Sequence, residues 1–273
     1  MTTILITGAT DGIGRLAALQ LAEAGHDLLL HGRDASRLGD VERAALAAGA
    51  SGVSVHRADL SSMTEVDALA AGVIERLDGA RLGALINNAG VFTVAEPVTP
   101  EGLDMRFVVN ALAPYRLTRQ LAQVLGDDSR VVNVASAAQG AVDLAALRGE
   151  RRLEDDMTAY AQSKLALTMW TLHLARQPGA PVMIALNPSS LMATKMVADA
   201  FGIEGDRGND PARGADILVR AATGEEFEHA RGAWFDGDAG ERGVFAAAHA
   251  DARDEGASAA LVRTLDELLR DQP

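Results

Sequence analysis

Short apolar runs rich in β-branched residues alternate with longer segments of helical period along nearly the whole chain, and this alternation restricts the fold more than any other feature of the sequence. Strands are expected at 3–7, 27–31, 53–56, 84–87, 130–134, 182–186 and 232–235, with helices near 13–24, 35–48, 62–77, 101–125, 158–176, 212–222 and 257–270. Such a β-α order indicates parallel strands joined by crossover helices. The pattern predicts an α/β fold, a doubly wound parallel sheet of about seven strands with helices on both faces. No composition break or Ser/Pro-rich linker divides residues 1–273, so one domain is expected. Two stretches interrupt the rhythm: 137–157, read as an insertion, and 188–211, read as a substrate lid, because loops this long are often functional.

With 48% apolar residues, the 273-residue chain can bury a sizeable core. Its formal net charge of −13 argues against a surface that follows the phosphates of nucleic acid or anionic lipid. The absence of cysteine removes disulfides, thiolate metal ligation and a Cys nucleophile. The histidines show no paired ligand spacing and Glu154-Asp155-Asp156 reads as a solvated face, so no metal is predicted. No stretch approaches the ~18 uncharged apolar residues of a membrane span, and Met1-Thr2-Thr3-Ile4 lacks a basic region. These features give the expectation of a cytoplasmic protein with no nucleic-acid or membrane partner.

In doubly wound sheets, ligands sit beyond the carboxyl ends of the strands, where the strand order reverses. After the first strand comes Thr7-Gly8-Ala9-Thr10-Asp11-Gly12-Ile13-Gly14. Glycines at this spacing let the backbone turn tightly and approach a pyrophosphate, while free N–H groups at a helix start bind the anion. The reading is a dinucleotide site in a Rossmann-like fold. After the second strand, Arg33 follows Gly32 where an NAD enzyme would usually carry an acidic residue. A guanidinium offers forked donors to a 2′-phosphate, so NADP(H) is expected in preference to NAD(H). NAD(H) stays possible, since Asp34 is placed to neutralise Arg33.

Lysine and tyrosine occur only twice each, against 23 arginines, yet Tyr160 and Lys164 stand four apart in a helical segment. That spacing sets both side chains on one face, where an ammonium lowers a phenol pKa toward the range of a general acid/base. Chance gives a Tyr-x3-Lys pair in this composition about 0.015 times. Upstream, Val131-Val132-Asn133-Val134-Ala135-Ser136 reads as a buried strand ending in a hydroxyl, and Asn110 lies in the apolar helical run Arg106-Phe107-Val108-Val109-Asn110. Taken singly, these are a turn former and a satisfied core amide.

The loop Thr7-Gly8-x3-Gly12-x-Gly14, the pair Asp59-Leu60, the run Asn87-Asn88-Ala89-Gly90 and the ordered set Asn110, Ser136, Tyr160 and Lys164 together resemble the short-chain dehydrogenase/reductase family. The resemblance implies that Gly8, Thr10, Asp11, Gly12, Ile13, Gly14 and Arg33 bind the cofactor, that Asp59 and Leu60 meet its adenine, and that Asn87, Asn88, Ala89 and Gly90 wall it. It implies that Tyr160 exchanges a proton with the substrate oxygen and Ser136 hydrogen-bonds that oxygen. Lys164 would hold the nicotinamide ribose, and Asn110 would anchor a water in the proton relay. Pro188 and Thr194 would meet the nicotinamide carboxamide and phosphate, although Ser189 stands where the family has glycine. Asp11 stands where some NADP-dependent members carry a basic residue. Lys195, next to Thr194, reads as a solvated lysine or as added charge near the pyrophosphate.

Ser136 and Tyr160 lie 24 positions apart, roughly ten more than is usual in the family, which marks 137–157 as an insertion. Its Asp143-Leu144…Leu147…Glu150-Arg151-Arg152 texture resembles, more weakly, the retinol-dehydrogenase-like branch, which handles alcohols and carbonyls on lipophilic molecules. The expected protein is an NADP(H)-dependent oxidoreductase that interconverts an alcohol and a carbonyl on a small, rather apolar substrate. An epimerase or dehydratase using the nicotinamide transiently, and a non-catalytic NADP-sensing regulator, remain alternatives. Leu191, Met192, Met196, Val197 and Phe201 fit either a lid or ordinary core. Leu165, Leu167, Met169, Trp170 and Leu174 suit either a homo-oligomer interface or burial inside one subunit.

Overall fold

In the computed structural model, which describes residues 1–202 and 208–270, eight strands form one sheet of order β3-β2-β1-β4-β5-β6-β7-β8. They are β1 (Thr3–Ile6), β2 (Asp27–Gly32), β3 (Gly52–Arg57), β4 (Leu82–Asn87), β5 (Leu125–Val134), β6 (Val182–Asn187), β7 (Ala233–Asp236) and β8 (Val244–Ala246). The first seven are parallel, as the alternation predicts. The eighth, which the sequence did not suggest, pairs antiparallel with β7. Its three residues are all exposed, so no burial period marks it. The central strands bury both faces, which is why Ile4-Leu5-Ile6 and Leu28-Leu29-Leu30 read as continuous apolar runs.

The helices are α1 (Gly12–Glu23), α2 (Ala35–Ala48), α3 (Met63–Leu77), α4 (Met105–Phe107), α5 (Ala113–Gln120), α6 (Leu144–Leu147), α7 (Asp156–Ala175), α8 (Lys195–Phe201), α9 (Pro211–Thr223), α10 (Ala250–Arg253) and α11 (Glu255–Arg270). Part of the acidic excess serves as caps. Asp34, Asp104, Asp143, Asp155 and Asp210 each accept a backbone N–H at a helix start. Within 137–157, α6 is tied down: Arg151 pairs with Asp143, and the Asp143 N–H donates to Gln162 Oε1 at 2.9 Å.

The helix expected over 101–125 is broken. α4 widens into a π-helical turn at Val108–Leu112, continues as α5 and ends in a 3₁₀ turn at Leu121–Gln123, so β5 begins at Leu125, before the expected 130. Pro114 supplies a physical cause. It has no N–H to give the Asn110 carbonyl four residues earlier, and a local π register accommodates the loss.

Apolar residues form two layers. One is shared by α1, α2 and α9, and the other by α3, α5, α7 and α11. The outer face of α7 is covered by the chain's own α10 and α11. Tyr115 donates to Asp266 at 2.7 Å, Arg148 donates to Thr264 at 2.9 Å, and the fully buried Trp170 meets Tyr115 edge-on at 5.6 Å. Leu165, Leu167, Met169 and Trp170 are therefore buried within one chain, and Leu174 is packed against the same layer. Among the described residues, no helix is long and apolar enough to cross a membrane, and no three acidic or histidine side chains gather to hold a metal.

Candidate active site

The strand order reverses between β1 and β4, and a cleft of about 1080 Å³ opens at their carboxyl ends. The glycine loop forms its floor. Gly8 and Gly12 sit at φ +67 and +52, a region glycine enters without strain. At Gly14 a Cβ would lie 2.3 Å from Asn88 Nδ2 and 2.4 Å from the Gly8 carbonyl, so only glycine lets the loop close on Asn88. The Thr7 hydroxyl accepts the N–H groups of Asn88 and Ala89, and Asn88 Nδ2 donates to the Thr7 and Gly8 carbonyls at 3.0 and 3.1 Å. Asn88 thus borders the cleft while locking the ends of β1 and β4 together.

His31, on β2, supports the same loop. Its Nδ1 accepts the Gly8 N–H at 3.3 Å, and its Nε2 lies 3.1 Å from the Ala58 carbonyl. Those partners require a neutral ring with the proton on Nε2. Burial pushes its pKa down to about 4, which keeps it in that form.

The catalytic candidates come from β5, the segment after it, and α7. Lys164 Nζ donates to the Val134 carbonyl at 2.7 Å and lies 5.6 Å from the centre of the Tyr160 ring. Ser136 follows two residues after Val134, and its hydroxyl accepts the Ala138 N–H at 3.1 Å. Burial raises the Tyr160 phenol above its ordinary value, with a hydrogen bond to Ser136 acting the other way. The lowering by Lys164 anticipated from the spacing is not among the causes of the shift. Burial also pushes Lys164 down to about 8, so the dry site disfavours both charged forms.

Asn110 sits in the π-helical turn behind Gly90, where a Cβ would approach its Oδ1 to 3.2 Å. Its Oδ1 accepts the Val91 N–H at 2.8 Å, and its Nδ2 reaches the Val91 carbonyl at 2.9 Å and Ser163 Oγ at 3.0 Å. The side chain is thus occupied in joining the loop after β4 to α7.

Gly8, Thr10, Asp11, Gly12, Ile13, Gly14, Arg33, Asp59, Leu60, Asn88, Ala89, Gly90, Ser136, Tyr160, Lys164, Pro188 and Thr194 all border this cleft; Asn110 and Asn87 do not. Asn87 also departs from the cofactor-wall expectation. It is the buried last residue of β4 and donates to Asn133 Oδ1 at 2.8 Å, while Asn133 donates to Thr171 at 2.8 Å.

At the β2 edge, Asp34 caps α2 by accepting the N–H groups of Ser36 and Arg37, and no ion pair with Arg33 forms among the described residues. Arg33 is exposed at the rim, while Asp11 pairs with Arg37 at 3.2 Å. Asp59 accepts both the N–H and the hydroxyl of Ser61, an Asx turn beside the cleft. Lys195 pairs with Asp199 at 2.5 Å and is largely exposed, which favours the solvated reading.

The opposite end of the cleft is apolar. Phe92 packs on Tyr160 at 4.7 Å and on Phe201 of α8 at 5.2 Å, with Met105, Met157 and Met196 on the same lining. Leu191, Val197 and Phe201 border the cleft. Met192 borders it too but is buried against Gly214 of α9, so it also serves as core. Residues 203–207 of the expected lid lie outside the described residues. Phe92, Met157 and His31 were missed by sequence reasoning, because a lone aromatic or histidine carries no spacing signal.

Comparison with known proteins agrees with this geometry. The family profile described as short chain dehydrogenase matches residues 2–201. Retinol dehydrogenase 13 of Homo sapiens is 32% identical over 258 residues, 86% of this chain and 76% of that protein. Polyprenol dehydrogenase of Mus musculus is 34% identical over 244 residues, covering 82% and 72%. The crystal structure of angucycline C-6 ketoreductase LanV with bound NADP superposes with a TM-score of 0.70 at 28% identity, over 88% of this chain and 95% of that one. A profile match over most of the chain, relatives of this identity and a sheet with its cleft at the β1/β4 reversal together make the chain a member of the short-chain dehydrogenase/reductase family, an oxidoreductase of alcohol and carbonyl groups.

Proposed function

We propose that the protein is an NADP(H)-dependent reductase or dehydrogenase of a small, uncharged, largely apolar carbonyl or alcohol, with Tyr160 as general acid/base. One observation carries this reading: Tyr160, Ser136 and Lys164 border the same cleft as the glycine loop, with Lys164 fixed to the strand end that leads to Ser136. The residues present fit a dinucleotide. The loop carries glycine at 8, 12 and 14, all bordering the cleft, and α1 begins there at Gly12. When bound there, NADP(H) supplies the hydride exchanged with the substrate carbon.

The chain's own residues supply orientation and the proton. A phenol held above its ordinary pKa stays protonated at neutral pH and suits delivery of a proton to a carbonyl oxygen. The Ser136 hydroxyl is placed to hydrogen-bond that oxygen, and Lys164 to hold the cofactor ribose beside it. Phe92, Phe201 and the three methionines offer apolar contact to the rest of the substrate and exclude water, and α8 acts as their lid. The substrates named for the relatives, retinol, polyprenol and an angucycline ketone, support an apolar substrate.

Arg33, free of Asp34, supports NADP(H) over NAD(H), and the NADP in the LanV structure agrees with it. A panel of carbonyls and alcohols followed at the nicotinamide absorbance tests the reading. NADPH is expected to give the higher kcat/KM, and Arg33→Ala to lower it for NADPH by about tenfold or more while leaving NADH nearly unchanged. Equal values for the two cofactors in the wild type would overturn the preference. Retained turnover in Tyr160→Phe would overturn the assignment of the acid/base.

A further inference from the structure

β6 ends at Asn187, and Pro188, Ser189 and Ser190 pass along the cleft directly after it. Ser189 sits at φ +134 and Leu191 at φ +48, backbone conformations that glycine adopts freely and other residues rarely. Such a conformation persists only where its surroundings over-determine it.

Asp238, in the turn between β7 and β8, supplies most of that determination. Its Oδ1 accepts the Ser190 N–H at 2.8 Å and the Ser189 hydroxyl at 3.1 Å. Its Oδ2 accepts the Ser190 hydroxyl at 2.5 Å and Asn187 Nδ2 at 2.8 Å. One carboxylate is thus saturated by donors from three residues of a four-residue stretch. Asn209 adds a second hold, donating to the Ser190 carbonyl at 2.6 Å and to Ser189 Oγ at 3.3 Å.

The carboxylate is itself fixed in place. The Asp238 N–H donates to Asp236 Oδ1 at 3.0 Å, and Asn187 Nδ2 bridges both aspartates. Arg213 of α9 donates to the Gly237 carbonyl at 2.7 Å, and a Cβ on Gly237 would lie 2.6 Å from the Asn187 carbonyl. Burial works against the Asp238 charge, but the hydrogen bonds from Ser190, Asn187 and Ser189 hold its carboxyl below the usual range.

We propose that Asp238 is a positioning residue for the cofactor: its carboxylate does for Ser189 what glycine's conformational freedom would do, holding 187–190 in the shape that borders the cleft. The inference rests on the reading that this segment meets the nicotinamide end of NADP(H).

The test is a double-mutant cycle. NADPH Kd from fluorescence, KM for NADPH and kcat are measured for Asp238→Ala in the wild-type and Ser189→Gly backgrounds. In the wild-type background Kd and KM should rise about tenfold, with kcat at saturating cofactor changed by less than about threefold. In the Ser189→Gly background the same substitution should shift Kd by less than about twofold. An equal effect in both backgrounds, or no effect on Kd in the first, overturns the proposal. If Asp238→Ala does not fold, Asp238→Asn, which keeps the shape and one acceptor, carries the same comparison. Thr194→Val tests the underlying reading separately. An unchanged NADPH Kd there would remove the nicotinamide from this segment, while the dependence of the Asp238 effect on residue 189, read by thermal unfolding, would still decide the clamp.

Discussion

Lys164 illustrates what a single side chain can do in a dry site. Arginine carries nearly every other cation in this chain, yet the position one turn after Tyr160 is lysine, whose compact ammonium reaches the Val134 carbonyl at 2.7 Å. Burial pushes its pKa to about 8 and raises that of Tyr160, so the phenol stays protonated near neutrality. Tyr160→Phe removes the phenol hydroxyl and keeps the ring. Turnover is expected to fall on the order of 10²–10⁴-fold, with NADPH Kd within a few-fold of wild type. His31 gives a second residue-scale expectation. Its folded pKa of about 4 lies below the unfolded 6.5, so between those values the unfolded chain binds more protons and stability falls as pH falls. The contribution amounts to roughly 3 kcal/mol across the window. Urea unfolding at pH 7.5 and 4.5 should show a smaller acid loss in His31→Asn than in wild type.

At the scale of elements, the glycine loop and the helix around Asn110 differ in how well the sequence reveals them. The loop was legible because each glycine answers a local demand: positive φ at Gly8 and Gly12, contact at Gly14. Gly14→Ala should displace Asn88, cost about 1–3 kcal/mol of stability and weaken NADPH binding, whereas Gly79→Ala, which meets nothing within 4 Å but keeps the φ +84 strain, should leave Kd unchanged. Fluorescence titration of both variants checks this. The π turn was not legible from periodicity. The 3.6-residue pattern runs on through Val108–Leu112, and only the missing N–H of Pro114 shifts the register that sets Asn110 behind Gly90. Asn87 was read with the wall for a similar reason. Adjacent residues at a strand end face opposite sides, and the pair of amides did not say which side was the cleft.

Across the whole molecule, the parallel sheet and the position of the site follow from β-α alternation, but contacts between distant segments do not. The hold of Asp238 on Ser189 and Ser190 and the seating of α11 on α7 each join residues about 50 or more positions apart that no local period connects, and the eighth strand turns back on β7 with three exposed residues that carry no period of their own. α11 also decides between the two readings of the Leu165–Trp170 face, since Leu261 and Leu265 are fully buried in the layer that contains Trp170. Leu265→Ala should cost about 2–5 kcal/mol in denaturant unfolding and make α11 the first site of limited proteolysis. Loss of stability without preferential cleavage there would show that α11 does not open separately.

That seating also gives the chain an order of assembly. The glycine loop, β1 and β4 can meet once about the first third of the polypeptide has emerged, whereas the helix bearing Tyr160 and Lys164 lacks its outer cover until residues 250–270 have been made. During synthesis, a nascent chain should therefore retain dinucleotide before it acquires turnover.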